Sequence, residues 1–121
     1  MPRVIHFEIP AKDLDRVARF YTDVFGWKVE KWSGPVDYWL VTTGNKREPG
    51  IDGAISRQTP GGTTCNTISV PSVDEFIAKV EAAGGKAITQ KMAIPSVGYD
   101  AVCMDPEGNC FGIMEHDPNA A

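Results

Sequence analysis

Little in this 121-residue sequence points to a partner by charge or to a covalent staple by sulfur. Only three cysteines occur, Cys65, Cys103 and Cys110, and none forms a Cys-x-x-Cys pair. An odd and scattered set excludes a disulfide framework and a structural zinc knuckle, and it suits a reducing cytoplasm, the expected location. No apolar run approaches the roughly 18 residues that a membrane-crossing helix needs, so no membrane partner is expected. Residues 1–10 alternate polar and apolar side chains and lack the apolar segment of a signal peptide. Basic residues are the minority, with 12 Lys and Arg against 16 Asp and Glu and a net charge of −4. That balance excludes the electrostatic footprint of nucleic-acid binding, which rests on neutralising phosphates. What is present is ordinary for a globule. Hydrophobic residues at 42% and charged ones at 23% can build a core and rule out wholesale disorder.

The chain reads as a repeat. At an offset of 59 positions His6 lies over Cys65, and Leu14, Val17, Ala18 and Tyr21 fall over Val73, Phe76, Ile77 and Val80. Both sets have the i, i+3, i+4, i+7 spacing of an amphipathic helix. Ile9 then meets Ile68, Gly26 meets Gly85 and Val29 meets Ile88. Each glycine stands where a helix should end and a strand begin, and Asp13 and Ser72 stand where caps belong. The spacing predicts one domain over residues 1–121, built of module 1 (about 3–58) and module 2 (about 64–116).

Each module is expected to run strand, helix, then strands. In the first, Arg3–Ile9 is a strand, Asp13–Phe25 a helix, and Trp27–Trp32, Tyr38–Thr43 and Gly53–Arg57 are strands, with Gly34-Pro35 punctuating one gap. In the second, Thr64–Val70 is a strand and Ser72–Ala83 a helix, followed by strands at Lys86–Gln90, Tyr99–Met104 and Cys110–His116. Asp105-Pro-Glu-Gly-Asn109 is turn chemistry, and residues 117–121 are expected to fray. Strand alternation puts Ile5, Phe7 and Ile9 on the helix side and His6 and Glu8 on the open, concave side. By the same reasoning Cys65, Thr67 and Ser69, and then Cys110, Gly112, Met114 and His116, face the concavity. For Tyr38–Thr43 the alternation leaves open which face, Tyr38 with Leu40 or Trp39 with Val41, lines it. Tyr38, Trp39 and Tyr99 are candidate stacking walls for a planar ligand.

The segments His6-Phe-Glu-Ile-Pro10, Phe20-Tyr21, Val24-Phe-Gly-Trp27 and Asp105-Pro-Glu-Gly-Asn-Cys-Phe-Gly112 resemble the vicinal oxygen chelate superfamily of glyoxalases, bleomycin-resistance proteins and extradiol dioxygenases. The resemblance covers roughly residues 3–116. It implies an α+β fold in which two paired βαβββ modules form a curved mixed sheet around a cleft, often in a homodimer. Metal-dependent members hold a divalent ion with four His or Glu side chains on the first, fourth, fifth and eighth strands. Carried over, those positions fall on His6, on Gly53 or Ala54, on Cys65 and on Gly112, so only His6 is a conventional ligand. Hard metals need carboxylates, and no carboxylate stands at these positions.

The expected function is therefore the binding of a small organic molecule in the inter-module cleft, without the full family metal site and with no cofactor. Cys65, Thr67, Tyr38, Trp39, Tyr99 and Met114 are the candidate substrate-binding residues. The alternative is a glyoxalase-like lyase or isomerase, metal-dependent or metal-free. In it His6 serves as ligand or base, with Glu8 as a second catalytic candidate. A divalent metal, with His6 as its weak candidate ligand, and a non-catalytic partner module are the less favoured readings. Arg57 is read as a strand-end cation and Lys46-Arg47-Glu48 as a solvated loop.

Overall fold

A computed structural model describes residues 2–34 and 36–121. Pro35, half of the expected Gly34-Pro35 break, lies outside the described residues. The chain has an α+β fold that divides into two compact units, one of residues 6–65 and one of residues 66–121 together with the segment up to Ile5.

The first unit takes β1 (Arg3–Pro10) from His6 onward, followed by α1 (Leu14–Phe25) and by β2 (Lys28–Lys31), β3 (Tyr38–Thr42) and β4 (Asp52–Ser56). The strands lie in the order β2-β3-β4-β1, antiparallel except for the parallel pair β1 and β4. The Asp13 carboxylate accepts from the Arg16 N–H at 3.1 Å and caps α1, which ends at Gly26 in the left-handed region (φ +73°). Leu14 and Ala18 drive one helix face onto Val41 and Ile55, with Phe7, Ile9 and Trp39 at the margin of that core. The Phe20-Tyr21 and Phe25-Gly-Trp27 segments prove to be a packing motif. Tyr21 and Trp27 stack at 4.8 Å, and Phe7 tilts against Trp27 at 5.8 Å, fastening the helix end to β1.

The second unit repeats the order with β5 (Cys65–Ser69), α2 (Val73–Ala82), β6 (Lys86–Ala87), β7 (Met92–Ile94), β8 (Gly98–Met104) and β9 (Cys110–His116). Its order is β5-β9-β8-β6, with β7 also pairing β8; β5 and β9 run parallel and the rest antiparallel. Val70, Val73, Ala101, Cys103 and Ile113 form its core. Ser72 caps α2 through the Glu75 N–H, and the Glu115 carboxylate reaches from β9 to accept the Val73 N–H at 2.9 Å.

Three expectations give way. The left-handed residue after α2 is Gly84 (φ +96°), not Gly85. Gly85 is glycine for closeness, since a Cβ there would sit 2.5 Å from the Met104 carbonyl oxygen. The Lys86–Gln90 strand shortens to two residues, and the short β7 replaces its far end as a partner of β8. Residues 117–121 are tied down: Ser96 N–H donates to the Ala120 carbonyl, Asp117 N–H donates to Val97, and Ala120 is buried. Among the described residues no helix is long and apolar enough to cross a membrane.

Candidate functional site

β1 alternates as its sequence requires. Phe7 and Ile9 go to the helix-side core, which leaves His6 and Glu8 on the opposite face. The same core fixes β3, because Val41 and Trp39 pack into it and Tyr38, Leu40 and Thr42 must face away. Pairing then sets Asp52 beside His6 and Ala54 beside Glu8. The open face of the first unit thus gathers His6, Glu8, Tyr38, Leu40 and Asp52.

His6 and Tyr38 are its chemical centre. The imidazole Nε2 and the phenol oxygen are 2.8 Å apart, a part-buried hydrogen bond, and the rings lie nearly parallel at 6.4 Å. Trp32 braces the phenol edge-on at 5.9 Å. Burial pushes the His6 pKa below its ordinary value, while the Asp52 charge pulls it back up. The neutral imidazole is therefore favoured at pH 7, able to exchange a hydrogen bond with the phenol or accept a proton. The Asp52 carboxylate accepts from the Thr43 N–H at 2.9 Å, while the Thr43 hydroxyl donates to the Ile51 carbonyl at 2.7 Å, so its orientation is held from the β3 end.

The other candidate residues separate by face. Trp39 and Tyr99, read above as ligand-stacking walls, both belong to the helix side. Trp39 packs against the first core, and its buried indole Nε1 makes no hydrogen bond among the described residues. Tyr99 packs against the second core, with the Lys91 ammonium 4.5 Å above its ring. Pairing sets Thr67 beside Gly112 and Ser69 beside Met114, away from the core formed by Ile113 and Ala101. Cys65 is buried. Arg57 pairs with Asp37 at 2.8 Å and donates to the Lys12 carbonyl, so its charge is spent locally. Those residues and Trp39 border an open cavity of about 390 Å³ on the first unit.

Two polar residues were missed. Asp52 lay one position outside the expected strand Gly53–Arg57, and Asp100, on the open face of β8, carried no motif. Pairing parity could have found both, since Asp52 opposes His6 and Asp100 opposes Met114.

The donor set does not fit the four-ligand divalent centre that the resemblance implies. Gly53 faces Phe7, and a Cβ there would lie 2.4 Å from the Phe7 carbonyl oxygen, so no side chain of any kind fits. Ala54 is fully buried, and Gly112 offers only a backbone against Thr67. Glu115, three residues beyond Gly112, is committed to the start of α2. Among the described residues no three His, Cys, Asp or Glu side chains converge on one point.

Comparison with known proteins agrees with this architecture. Residues 3–44 match the family model described as bleomycin resistance protein-like N-terminal. A glyoxylase-like domain-containing protein of Didymella fabae is 30% identical over 112 residues, covering 88% of each chain. The Mycobacterium tuberculosis protein CFP32, whose name describes a glyoxylase, is 42% identical over 50 residues. That match spans 41% of this chain and 19% of CFP32, about a fifth of the mycobacterial protein. A methylmalonyl-CoA epimerase solved with methylmalonyl-CoA and NH4+ superposes with a TM-score of 0.72 at 13% identity, covering 100% of this chain and 99% of its own. A glyoxalase/bleomycin resistance protein/dioxygenase superfamily member from Vibrio splendidus superposes at 0.69 and 17% identity, covering 97% and 100%. The chain belongs to this glyoxalase, bleomycin-resistance and dioxygenase group, the vicinal oxygen chelate superfamily.

Proposed function

We propose that the protein binds a small organic molecule against the open sheet face that carries His6 and Tyr38, without a four-ligand metal centre. The observation that carries this reading is the 2.8 Å His6–Tyr38 hydrogen bond on a face that also carries Glu8, Asp52 and the apolar Leu40. A few directional polar groups on an apolar wall are what a ligand site needs. Glu8 belongs to the same reading as a polar wall of this face, and Thr67 and Met114 are proposed as a polar and an apolar wall on the corresponding face of the second unit. The repeated strand-helix-strand order supports an internal duplication, three cysteines outside any disulfide support a cytoplasmic location, and a homodimer is the assembly proposed. Nuclear magnetic resonance of the His6 and Tyr38 ring protons during titration with a fragment library tests the site. Shifts confined to those rings and their neighbours are expected, and a library that moves none of them overturns the proposal.

A second reading is favoured by the lowered His6 pKa. A neutral imidazole is a competent base, and Tyr38 beside it a competent hydrogen-bond donor, for moving a proton next to a carbonyl. Methylmalonyl-CoA in deuterated water is a direct probe, as epimerases of this fold bind it. Deuterium incorporation that disappears in His6→Ala, with the fold retained, supports catalysis. An intact, unexchanged compound leaves binding alone.

A further inference from the structure

The two units can be laid over one another by their hydrogen-bond ladders. In the first, Tyr38 on β3 pairs with Ser56 on β4, which pairs with Pro10 on β1. In the second, Asp100 on β8 pairs with Met114 on β9, which pairs with Ser69 on β5. Pro10 and Ser69 are 59 positions apart, the offset at which the halves align. Asp100 therefore takes the place in the second unit that Tyr38 takes in the first. The position that holds a phenol bonded to His6 in one unit holds a carboxyl in the other.

The surroundings of Asp100 are apolar. Its ladder neighbours are Met92 on β7 and buried Met114 on β9, and Val102 follows it on the same face of β8. No Lys, Arg or His forms an ion pair with it among the described residues, the nearby Lys91 being held by Asp74 at 2.9 Å and by the Tyr99 ring. Burial pushes the Asp100 pKa up from its ordinary value, and a hydrogen bond from its own backbone N–H offsets this only in part. A half-buried carboxyl bordered by two adaptable thioether side chains has the composition of a recognition wall, with one directional group and a deformable apolar surface.

We propose that Asp100 is a ligand-recognition residue, accepting a hydrogen bond from the ammonium group of a small amine whose apolar body lies on Met92 and Met114. This rests on the small-molecule reading above, applied to the corresponding face of the second unit, and adds the class of ligand. An ammonium supplies the cation that the fold itself does not, and the net charge of −4 favours its approach.

The full chain with ¹³C-methyl-labelled methionine, titrated with 2-phenylethylamine and separately with 3-phenylpropionate, tests the assignment. The amine is expected to shift the Met92 and Met114 methyl resonances with at least tenfold higher affinity than the acid. Asp100→Asn is expected to erase that preference while the remaining spectrum stays native. Asp100→Leu, which continues the apolar wall, should do the same and covers the case in which the amide variant misfolds. Equal affinity for amine and acid, or an unchanged amine affinity in either folded variant, overturns the role of Asp100. If shifts then appear at His6 and Tyr38 alone, the small-molecule reading stands without it. Absence of shifts at every one of these residues sinks both.

Discussion

Removing a single oxygen, by Tyr38→Phe, interrogates the centre of the site. The ring is retained, so its parallel contact with His6 and its edge contact with Trp32 persist and no cavity opens. What is lost is the 2.8 Å hydrogen bond across the part-buried pair. A net side-chain hydrogen bond contributes about 0.5–1.5 kcal/mol, and leaving a partner unsatisfied raises the cost to about 1–3 kcal/mol, the lower part of which applies to a half-buried pair. The expected destabilisation is therefore about 1–2 kcal/mol, or about 4–8 °C in Tm for a domain of this size. Urea unfolding followed by tryptophan fluorescence at pH 8, where the imidazole is neutral, measures it. The His6→Phe variant and the double variant complete a cycle whose coupling energy should be about 1 kcal/mol. A Tyr38→Phe protein within about 0.3 kcal/mol of the parent, or a coupling near zero, would refute the pairing as the organising contact of the face.

Four further outcomes follow from the same geometry. Because the folded pKa of His6 is depressed, its contribution to stability is present above the unfolded value near 6.5 and is lost as pH falls through the folded value; urea midpoints should drop between pH 8 and pH 5, and less so in His6→Phe. Asp52→Asn removes the charge that raises the His6 pKa, so the titration of His6, one of two histidines in the chain, should move further below its ordinary value by proton resonance. Gly53→Ala drives a Cβ into the Phe7 backbone and should cost about 3 kcal/mol or more, whereas Gly26→Ala meets no atom, bears only the strain of its φ of +73°, and should cost about 1 kcal/mol by thermal unfolding. Glu115→Ala removes the acceptor of the Val73 N–H and should lower stability by about 1 kcal/mol in urea.

Most of the architecture was legible because it rests on local chemistry. The stripe Leu14, Val17, Ala18, Tyr21 and its counterpart in α2 specify helices, and Asp13, Ser72 and Gly26 mark their limits. What escaped depends on partners distant in sequence. β7 is three residues long and ends beside Pro95, and only its ladder to Gly98–Asp100 makes it a strand. The 117–121 segment has little to bury by its own composition and is fixed by the carbonyl of Val97 and the N–H of Ser96. The faces of β3 were undetermined for a similar reason. Aromatic and aliphatic residues occupy both parities, and only packing of Val41 against Leu14, Ala18 and Ile55 chooses between them.

The site turns on a shift of one residue. With β4 beginning at Gly53 the strand shows no acid at all; beginning at Asp52, it places a carboxylate directly beside His6. Parity then divides the three consecutive positions. Asp52 and Ala54 share the His6 face, and Gly53 turns to Phe7, where even a methyl group collides with backbone. The acid shares the face and the rung of His6, with its oxygen taken up by the Thr43 N–H. A carboxylate so placed acts on the imidazole through its charge. The proton on His6 and its bond to Tyr38 therefore set the polarity of this face, and a ligand bound there as proposed would meet a hydrogen-bonding pair.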